Sequence, residues 1–360
     1  MLLKSTGEDA YFVASNGASG FISYYPNCFD HRRIGHLYAI KGGPGTGKSR
    51  FLRDVASYGG ELGWYAEFIY CSSDVNSLDG VILSRGERCI ALLDATAPHV
   101  YEPTRPGFRE DIVNLGVFWD GRRLAKEHER IERLNAQKNA AYQRAYAYLA
   151  AIGSLRENRD ALVLPYIKME EISDLAGQMM RNVPVEDGFS ESPALMRCIG
   201  MGGRSMLDTY RTMATSATLI EDCRGSAQYL LSALRREAAQ KGLLVRVSYD
   251  PITPKTQDGL FLCGSRTSFL VVPRMLCRDA SVRIGMRRFV NPIREERVMS
   301  ELELIRQSEW SLTKGAEQAF DDVSRAHFEL EQIYGAAMNF EAKENFTKIF
   351  CRELFDLQSI

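Results

Sequence analysis

The order of apolar and polar positions divides the first third of the chain into short strands and one amphipathic helix. Apolar runs of strand length occur at residues 36–40, 64–71, 80–83 and 89–94. After the first run, apolar residues recur at helical spacing from Phe51 to Val55, and the Gly59-Gly60 pair predicts the end of that helix. This strand–loop–helix–strand order predicts an α/β fold with a parallel sheet flanked by helices.

Two later segments have a helical pattern. Residues 121–158 contain no proline, are rich in alanine, arginine, glutamate and leucine, and predict one long helix or a helical hairpin. The chain from about residue 296 predicts a second helical extension, and the polar segment 181–194, with its two prolines, predicts a linker. Because 360 residues exceed one typical domain, we expect two domains, residues 1–180 and 181–360.

Composition and charge narrow the class of protein. The chain is 45% hydrophobic and 25% charged, with a net charge of −1, and so exerts no global attraction on nucleic acid or acidic membranes. The basic run 283–297 is interpreted as a solvated face, because glutamates interrupt it. The eight cysteines form no C-x-x-C pair, which argues against a zinc site, and no apolar run reaches the ~18 residues that span a bilayer. With no signal-like start, we expect a cytoplasmic protein with buried, reduced cysteines.

Residues 42–49, GGPGTGKS, fit the pattern G-x-x-x-x-G-K-[ST] between a predicted strand and a predicted helix. The glycines let successive N–H groups turn towards phosphate oxygens, and the N-terminal end of the helix adds positive potential. Lys48 is expected to contact the β- and γ-phosphates, and the Ser49 hydroxyl to bind Mg²⁺. The predicted nucleotide-binding residues are Gly43, Pro44, Gly45, Thr46, Gly47, Lys48, Ser49 and Arg50.

A magnesium site also needs a carboxylate. Asp94 ends the apolar run CIALLD and is predicted to be the second protein ligand of Mg²⁺, whereas Asp120, after a shorter run, ranks below it. The residue after Asp94 is Ala95, where many ATPases that drive motion carry a glutamate that polarises the attacking water. We therefore expect any base to come from another segment.

Two loops at the predicted carboxyl edge of the sheet offer further catalytic candidates. In CSSDVNSLDG (71–80), Asp74 and Asp79 are candidates to orient water or accept a proton, and the alternative is that they stabilise turns. In the proline-stiffened segment 94–107, His99 is a candidate phosphate or substrate contact, and Arg105 a candidate for neutralising transition-state charge. The alternative for His99 is a structural role, and the alternative for Arg105 is a surface ion pair.

The second half repeats the pattern of the first. Phe51-Leu52 align with Tyr229-Leu230, and further along Asp79-Gly80 align with Asp258-Gly259. In the same alignment Lys48, Ser49 and Asp94 correspond to Ser226, Ala227 and Pro273. The repeat thus lacks the lysine, the hydroxyl and the carboxylate, and Glu221 and Asp222 add negative charge. We therefore predict one nucleotide site per chain.

These motifs resemble a family of uncharacterised bacterial ATPases of about this length, built from two tandem P-loop repeats. The resemblance is carried by NGASGF, KGGPGTGKS, CSSDVNSLDGVI and ALLDATAPH, at residues 16–21, 41–49, 71–82 and 91–99. It implies a duplicated P-loop NTPase-type sheet flanked by helices, with Mg-ATP bound in the first copy by Lys48, Ser49 and Asp94. It also implies that three further residues lie at the site: Asp74, Asp79 and His99.

Three functions remain open at this point. The first is an ATPase whose slow hydrolysis is coupled to a partner or to domain motion, with the helical extensions available for a protein partner or for self-association. The second is a kinase for a small molecule or nucleotide, since the missing glutamate would protect ATP from water. The third is a nucleotide-gated interaction module without catalysis. The resemblance favours ATP over GTP, although no base-specifying motif is visible.

Overall fold

The computed structural model describes residues 2–4, 6–29, 32–99, 101–273 and 282–357. These residues form two six-stranded sheets flanked by helices, together with two long helices, so the predicted α/β class is confirmed. The bounds in the first half are β1 Leu2–Lys4, β2 Asp9–Phe12, β3 Ala14–Gly17, β4 Gly20–Ser23, α1 Tyr25–Cys28, β5 His36–Lys41, α2 Lys48–Glu61, β6 Tyr65–Tyr70, β7 Leu78–Arg85, β8 Arg88–Asp94, β9 Glu110–Asn114, α3 Gly121–Lys126, α4 His128–Val163 and α5 Met169–Met180.

The second half has an equivalent series of elements. Their bounds are β10 Ser190–Pro193, β11 Arg197–Gly200, β12 Gly203–Leu207, α6 Thr209–Thr212, β13 Ser216–Glu221, α7 Ala227–Gln240, β14 Leu244–Tyr249, β15 Gln257–Leu262, β16 Thr267–Val272, β17 Val282–Gly285, α8 Glu296–Ala336 and α9 Phe340–Leu357. Short 3-10 helices follow β9, α4 and β17, at Leu115–Phe118, Leu164–Tyr166 and Met286–Phe289.

The two sheets have the same topology. The first has the order β2-β6-β7-β8-β5-β9 and the second β10-β14-β15-β16-β13-β17. In the first sheet β7 is antiparallel to both neighbours and the other pairs are parallel, and β15 has the same place in the second sheet. The duplication and the predicted α/β class are thereby confirmed, and each sheet is mixed, mostly parallel with one antiparallel strand. The links on either side of β7 are too short for the crossover that parallel strands need, so the chain turns back as hairpins.

Two local predictions need correction, and the structure decides between the alternatives of a third. The helix α2 continues through the Gly59-Gly60 pair to Glu61. An added Cβ on Gly59 would lie 2.8 Å from a ring atom of Phe355, so this glycine allows α9 to pack closely. The segment predicted as a linker contains β10, which pairs in parallel with β14 at the edge of the second sheet. Of the two alternatives for the helical segment, residues 128–163 form the first, one long continuous helix.

The long helices α4 and α8 pack antiparallel against each other. Arg130 near the start of α4 bonds Glu329 near the end of α8 at 3.4 Å, and the Asn158 amide bonds Glu301 at 3.1 Å near the opposite ends. Two clusters of buried apolar side chains, which include the aromatic ring of Phe320, lie along this helix pair. The helical extensions therefore bury their apolar faces against each other within one chain.

Each half gives its last helix to the other half. Helix α5 packs on α7 of the second half, and α9 packs on α2 of the first. Matching backbone bonds fix the two crossings: the Lys168 N–H donates to the Phe289 carbonyl at 2.9 Å, and the Asn339 N–H donates to the Phe118 carbonyl at 2.9 Å. Packing therefore crosses the predicted sequence division between residues 180 and 181.

Two further expectations from composition concern the membrane and the cysteines. Within the described ranges, no helix combines the length and the apolar character that crossing a bilayer requires. Cys28, Cys198 and Cys351 are buried, and the remaining described cysteines are half-buried. Cys277 lies outside the described residues.

Candidate functional site

The segment that fits the phosphate-loop pattern, called the 42–49 loop below, leaves the end of β5 and leads into α2. Gly45 and Gly47 have φ angles of 70° and 75°, in the left-handed region where a side chain would be strained. The first N–H groups of α2 have no carbonyl partner within the helix. The glycines therefore shape a turn that brings backbone N–H groups and the positive end of a helix to one place. The Glu331 carboxylate lies beside this turn. Its pKa is lowered by His327, by the Gly45 N–H and by the Lys48 charge.

The Lys48 side chain folds back over this loop. Its Nζ donates to the carbonyl oxygens of Gly42 and Gly43, at 2.8 and 2.9 Å, and lies 3.5 Å from Asp94 Oδ2. The Lys48 and Asp94 side chains are each 13% exposed. The structure thus brings together the lysine and the carboxylate that the sequence placed 46 positions apart.

Asp94 is the last residue of β8 and lies beside the 42–49 loop. One of its carboxylate oxygens accepts a backbone N–H, and the other faces Lys48. Its Oδ1 accepts the Thr96 N–H at 2.8 Å, and the Thr96 hydroxyl donates to the Gly42 carbonyl at 2.8 Å. Burial raises the pKa of Asp94, although the Lys48 charge opposes this effect. A buried carboxylate whose ionised form is destabilised by desolvation is the kind of group that a bound cation would stabilise.

The other predicted nucleotide-binding residues differ in their surroundings. Ser49 Oγ accepts the Leu78 N–H at 3.0 Å, and the buried Thr46 hydroxyl donates to the Gly43 carbonyl at 2.9 Å. The Arg50 guanidinium is exposed and bonds Asp54 at 2.8 Å, one helical turn away. Arg50 is therefore engaged on the helix surface, whereas Thr46 and Ser49 belong to the loop.

Two of the catalytic candidates are engaged in local structure or point to solvent. The Asp74 carboxylate accepts the Asn76 N–H at 3.1 Å and the Ser77 hydroxyl at 2.6 Å, the turn-stabilising alternative for this residue. Arg105 is exposed, and its guanidinium has no hydrogen bond or ion pair in the part of the chain that the structure describes. Asp120, the rival of Asp94, caps α3 by accepting the Arg122 and Arg123 N–H groups.

Asp79 and His99 form a buried pair. Asp79 Oδ2 lies 3.0 Å from His99 Nε2, and each side chain is 6% exposed. The imidazole stacks on Tyr25, with ring centroids 5.1 Å apart. Burial alone would lower the pKa of His99, but the Asp79 charge and its hydrogen bond outweigh this effect and raise the pKa. The pairing with Asp79 therefore favours the protonated, imidazolium form of His99.

Cys71 lies beside this pair, and no sequence pattern predicted this neighbour. Its Sγ, a carboxylate oxygen of Asp79 and a ring nitrogen of His99 all lie within 4.8 Å of one another. Burial raises the pKa of the Cys71 thiol well above its usual value. No spacing signal marks the set, because the three residues follow or begin different strands.

In the equivalent loop of the second half, a side chain of the loop itself accepts the backbone N–H groups. Asp222 accepts the N–H groups of Gly225 and Ala227, both at 2.8 Å. A carboxylate thus occupies the donors that a phosphate would need at the start of α7. A cavity of about 380 Å³ opens nearby, lined in part by Arg197 and Asp258, whose side chains lie 3.4 Å apart.

Helices from the second half cover the 42–49 loop, and sequence reasoning missed them. An added Cβ on Gly45 would lie 2.5 Å from the Glu331 carbonyl oxygen, and one on Gly43 would lie 3.2 Å from the Trp119 ring. Trp119 packs on Tyr334 of α8, with ring centroids 5.3 Å apart. One sequence feature that could have indicated this cover is Lys343, a lysine on the buried face of the helix α9.

Comparison with models of protein families, with curated proteins and with solved structures finds no match. The resemblance to tandem P-loop ATPases therefore depends on the sequence motifs alone, and the structure shows a duplicated α/β architecture with two mixed, mostly parallel six-stranded sheets.

The Asp79–His99 pair predicts a pH dependence of stability. The folded-state pKa of His99 lies above its unfolded value of about 6.5, so the ion pair stabilises the fold fully below about pH 6.5. This contribution is lost as the pH rises through the folded-state pKa. His99→Gln keeps a donor for Asp79 without a titrating proton, and should lack this part of the dependence. Urea unfolding between about pH 6 and 8.5 measures it; identical profiles for both proteins would contradict the assignment.

Proposed function

We propose that the 42–49 loop binds a magnesium complex of a nucleoside triphosphate, with ATP favoured, and that the chain hydrolyses it slowly. The observation that carries the proposal is the position of Lys48 Nζ, between the loop carbonyls and Asp94, at the N-terminal end of a 14-residue helix. Neutral carbonyls are weaker partners for an ammonium than a phosphate is. A triphosphate would therefore compete well for this lysine.

The residues present fit a magnesium ion as well as a phosphate chain. Ser49 Oγ and the Asp94 carboxylate would hold Mg²⁺, hard oxygen ligands of the type that this ion prefers. When bound, the ion would neutralise charge on the β- and γ-phosphate oxygens. Asp94 is well suited because, among the described residues, the ammonium of Lys48, at 3.5 Å, is the one cation that pairs with its buried carboxylate.

Slow hydrolysis is proposed because the carboxylates that were candidates for a base are engaged. Ala95 follows Asp94, the Asp74 carboxylate is held in its turn, and Asp79 is paired with His99. An imidazolium with a raised pKa is a poor proton acceptor, although it can hydrogen-bond a phosphate oxygen. The proposal therefore assigns His99 to charge stabilisation, and it leaves activation of water to a partner or to a change in conformation.

Phosphoryl transfer is the second candidate function, favoured by one observation. The same engaged carboxylates that leave water unactivated would protect bound ATP until a hydroxyl acceptor arrives. If the chain is instead a nucleotide-gated interaction module, it should bind the nucleotide without releasing or transferring phosphate.

We expect basal phosphate release below the ~1–100 per second typical of kinases, and a further loss in Asp94→Asn, which removes a charge from the magnesium site. Released and transferred phosphate should be followed separately, with and without a panel of small hydroxyl acceptors. Asp120→Asn, in the helix cap, is the matched control and should leave the rate unchanged. Fast basal hydrolysis would show that a base is already in place and would contradict this account.

A further inference from the structure

Lys343 is a buried lysine beside the 42–49 loop. It lies on α9, the helix that the second half contributes to the first, and it is 2% exposed. An added Cβ on Gly47 would lie 3.7 Å from its Nζ, and the nearby Phe51 ring centroid is 5.9 Å from the same atom. The ammonium thus stands at the start of α2, beside the last glycine of the loop.

The Lys343 ammonium has no anionic partner there. Among the described residues, its Nζ forms no hydrogen bond and no ion pair. Asp54 is the carboxylate with the largest effect on it, but Asp54 is already hydrogen-bonded to Arg50 at 2.8 Å. Burial lowers the pKa of Lys343. Keeping an unpaired ammonium out of water is unfavourable, and an anion bound next to it would offset that penalty.

The duplication supplies an internal comparison. Lys343 is the fourth residue of α9, and the fourth residue of α5, the exchanged helix beside the second-half loop, is Ile172. Ile172 is buried in the apolar core of the second half. In the second half, where Asp222 accepts the loop N–H groups, this position is apolar. In the first half it is a lysine, although the Glu331 carboxylate interacts with the Gly45 N–H of the loop.

We propose that Lys343 is a phosphate-binding residue, supplied by the second half of the chain to the nucleotide site of the first. Its ammonium contacts an oxygen of the phosphate chain held by the 42–49 loop, alongside Lys48. This inference depends on the proposed function, because it takes the bound anion to be a nucleotide phosphate. It also gives the helix exchange a role: nucleotide occupancy strengthens the docking of α9 on α2.

The test is titration calorimetry with Mg²⁺ and a non-hydrolysable ATP analogue. Lys343→Met and Lys343→Gln should each lower the affinity at least about tenfold. The matched control is Lys348→Met, an exposed lysine on the same helix, which should bind as wild type does. Without nucleotide, Lys343→Met should unfold at the same temperature as wild type or higher, because it removes an unpaired buried charge. A lysine with only a structural role would give a lower unfolding temperature and unchanged affinity.

The outcomes separate this inference from the function that it depends on. If Lys48→Ala weakens binding and neither Lys343 variant does, the inference is wrong and the nucleotide site stands. If wild type binds no nucleotide, the proposed function fails and the role of Lys343 fails with it. If all three variants weaken binding while Lys348→Met does not, both are supported.

Discussion

Replacing Phe355 by alanine is expected to destabilise the first half of the chain by about 3–5 kcal/mol, the usual range for truncating a buried phenylalanine. Phe355 belongs to α9 of the second half, yet it is 3% exposed in the core of the first. Its ring centroid lies 5.5 Å from that of Trp64 and 5.7 Å from that of Tyr58. The truncation would leave a cavity between α2 and the helix that covers it.

Urea unfolding followed by circular dichroism measures this effect. The control is Ile349→Ala on the same helix, where the side chain is 55% exposed and the expected change is within about 0.5 kcal/mol. Equal stability of the two variants would show that α9 does not pack on the first half in solution, and the account of helix exchange would be lost.

Replacing Lys48 by alanine is expected to lower nucleotide affinity or turnover at least tenfold, about 1.4 kcal/mol. The substitution removes the ammonium that lies among the loop carbonyls and beside Asp94. The exposed Lys348→Ala on α9 removes a charge of the same kind and should change neither quantity. Wild-type binding and turnover in Lys48→Ala would rule out the assignment of the 42–49 loop.

The sequence predicted features that short patterns encode. Apolar runs and turn glycines located β5, β6 and β8 and the start of α2, because strand and helix periodicities are local. Alignment of the halves also predicted that the second loop lacks a lysine. It did not predict that Asp222 accepts the N–H groups of Gly225 and Ala227, because these hydrogen bonds depend on the conformation of the turn.

The features that could not be predicted depend on strand direction or on contacts between distant segments. Periodicity is the same in parallel and antiparallel strands, so the reversal of β7 was invisible. The pairing of Asp79 with His99 needed the sheet to bring two loops together. The exchange of α5 and α9 depends on the apolar face of each helix fitting the opposite half of the chain. The position of Lys343 beside the 42–49 loop can be recognised only from the three-dimensional position of α9.

The account predicts that only the first of the two equivalent sites binds a nucleotide. Titration calorimetry of the wild-type chain with Mg²⁺ and a non-hydrolysable ATP analogue tests this most directly. We expect a stoichiometry near one per chain, and Lys48→Ala should remove that site and reveal no second tight one, because Asp222 fills the equivalent loop. Two sites of comparable affinity, or no binding at all, would contradict it.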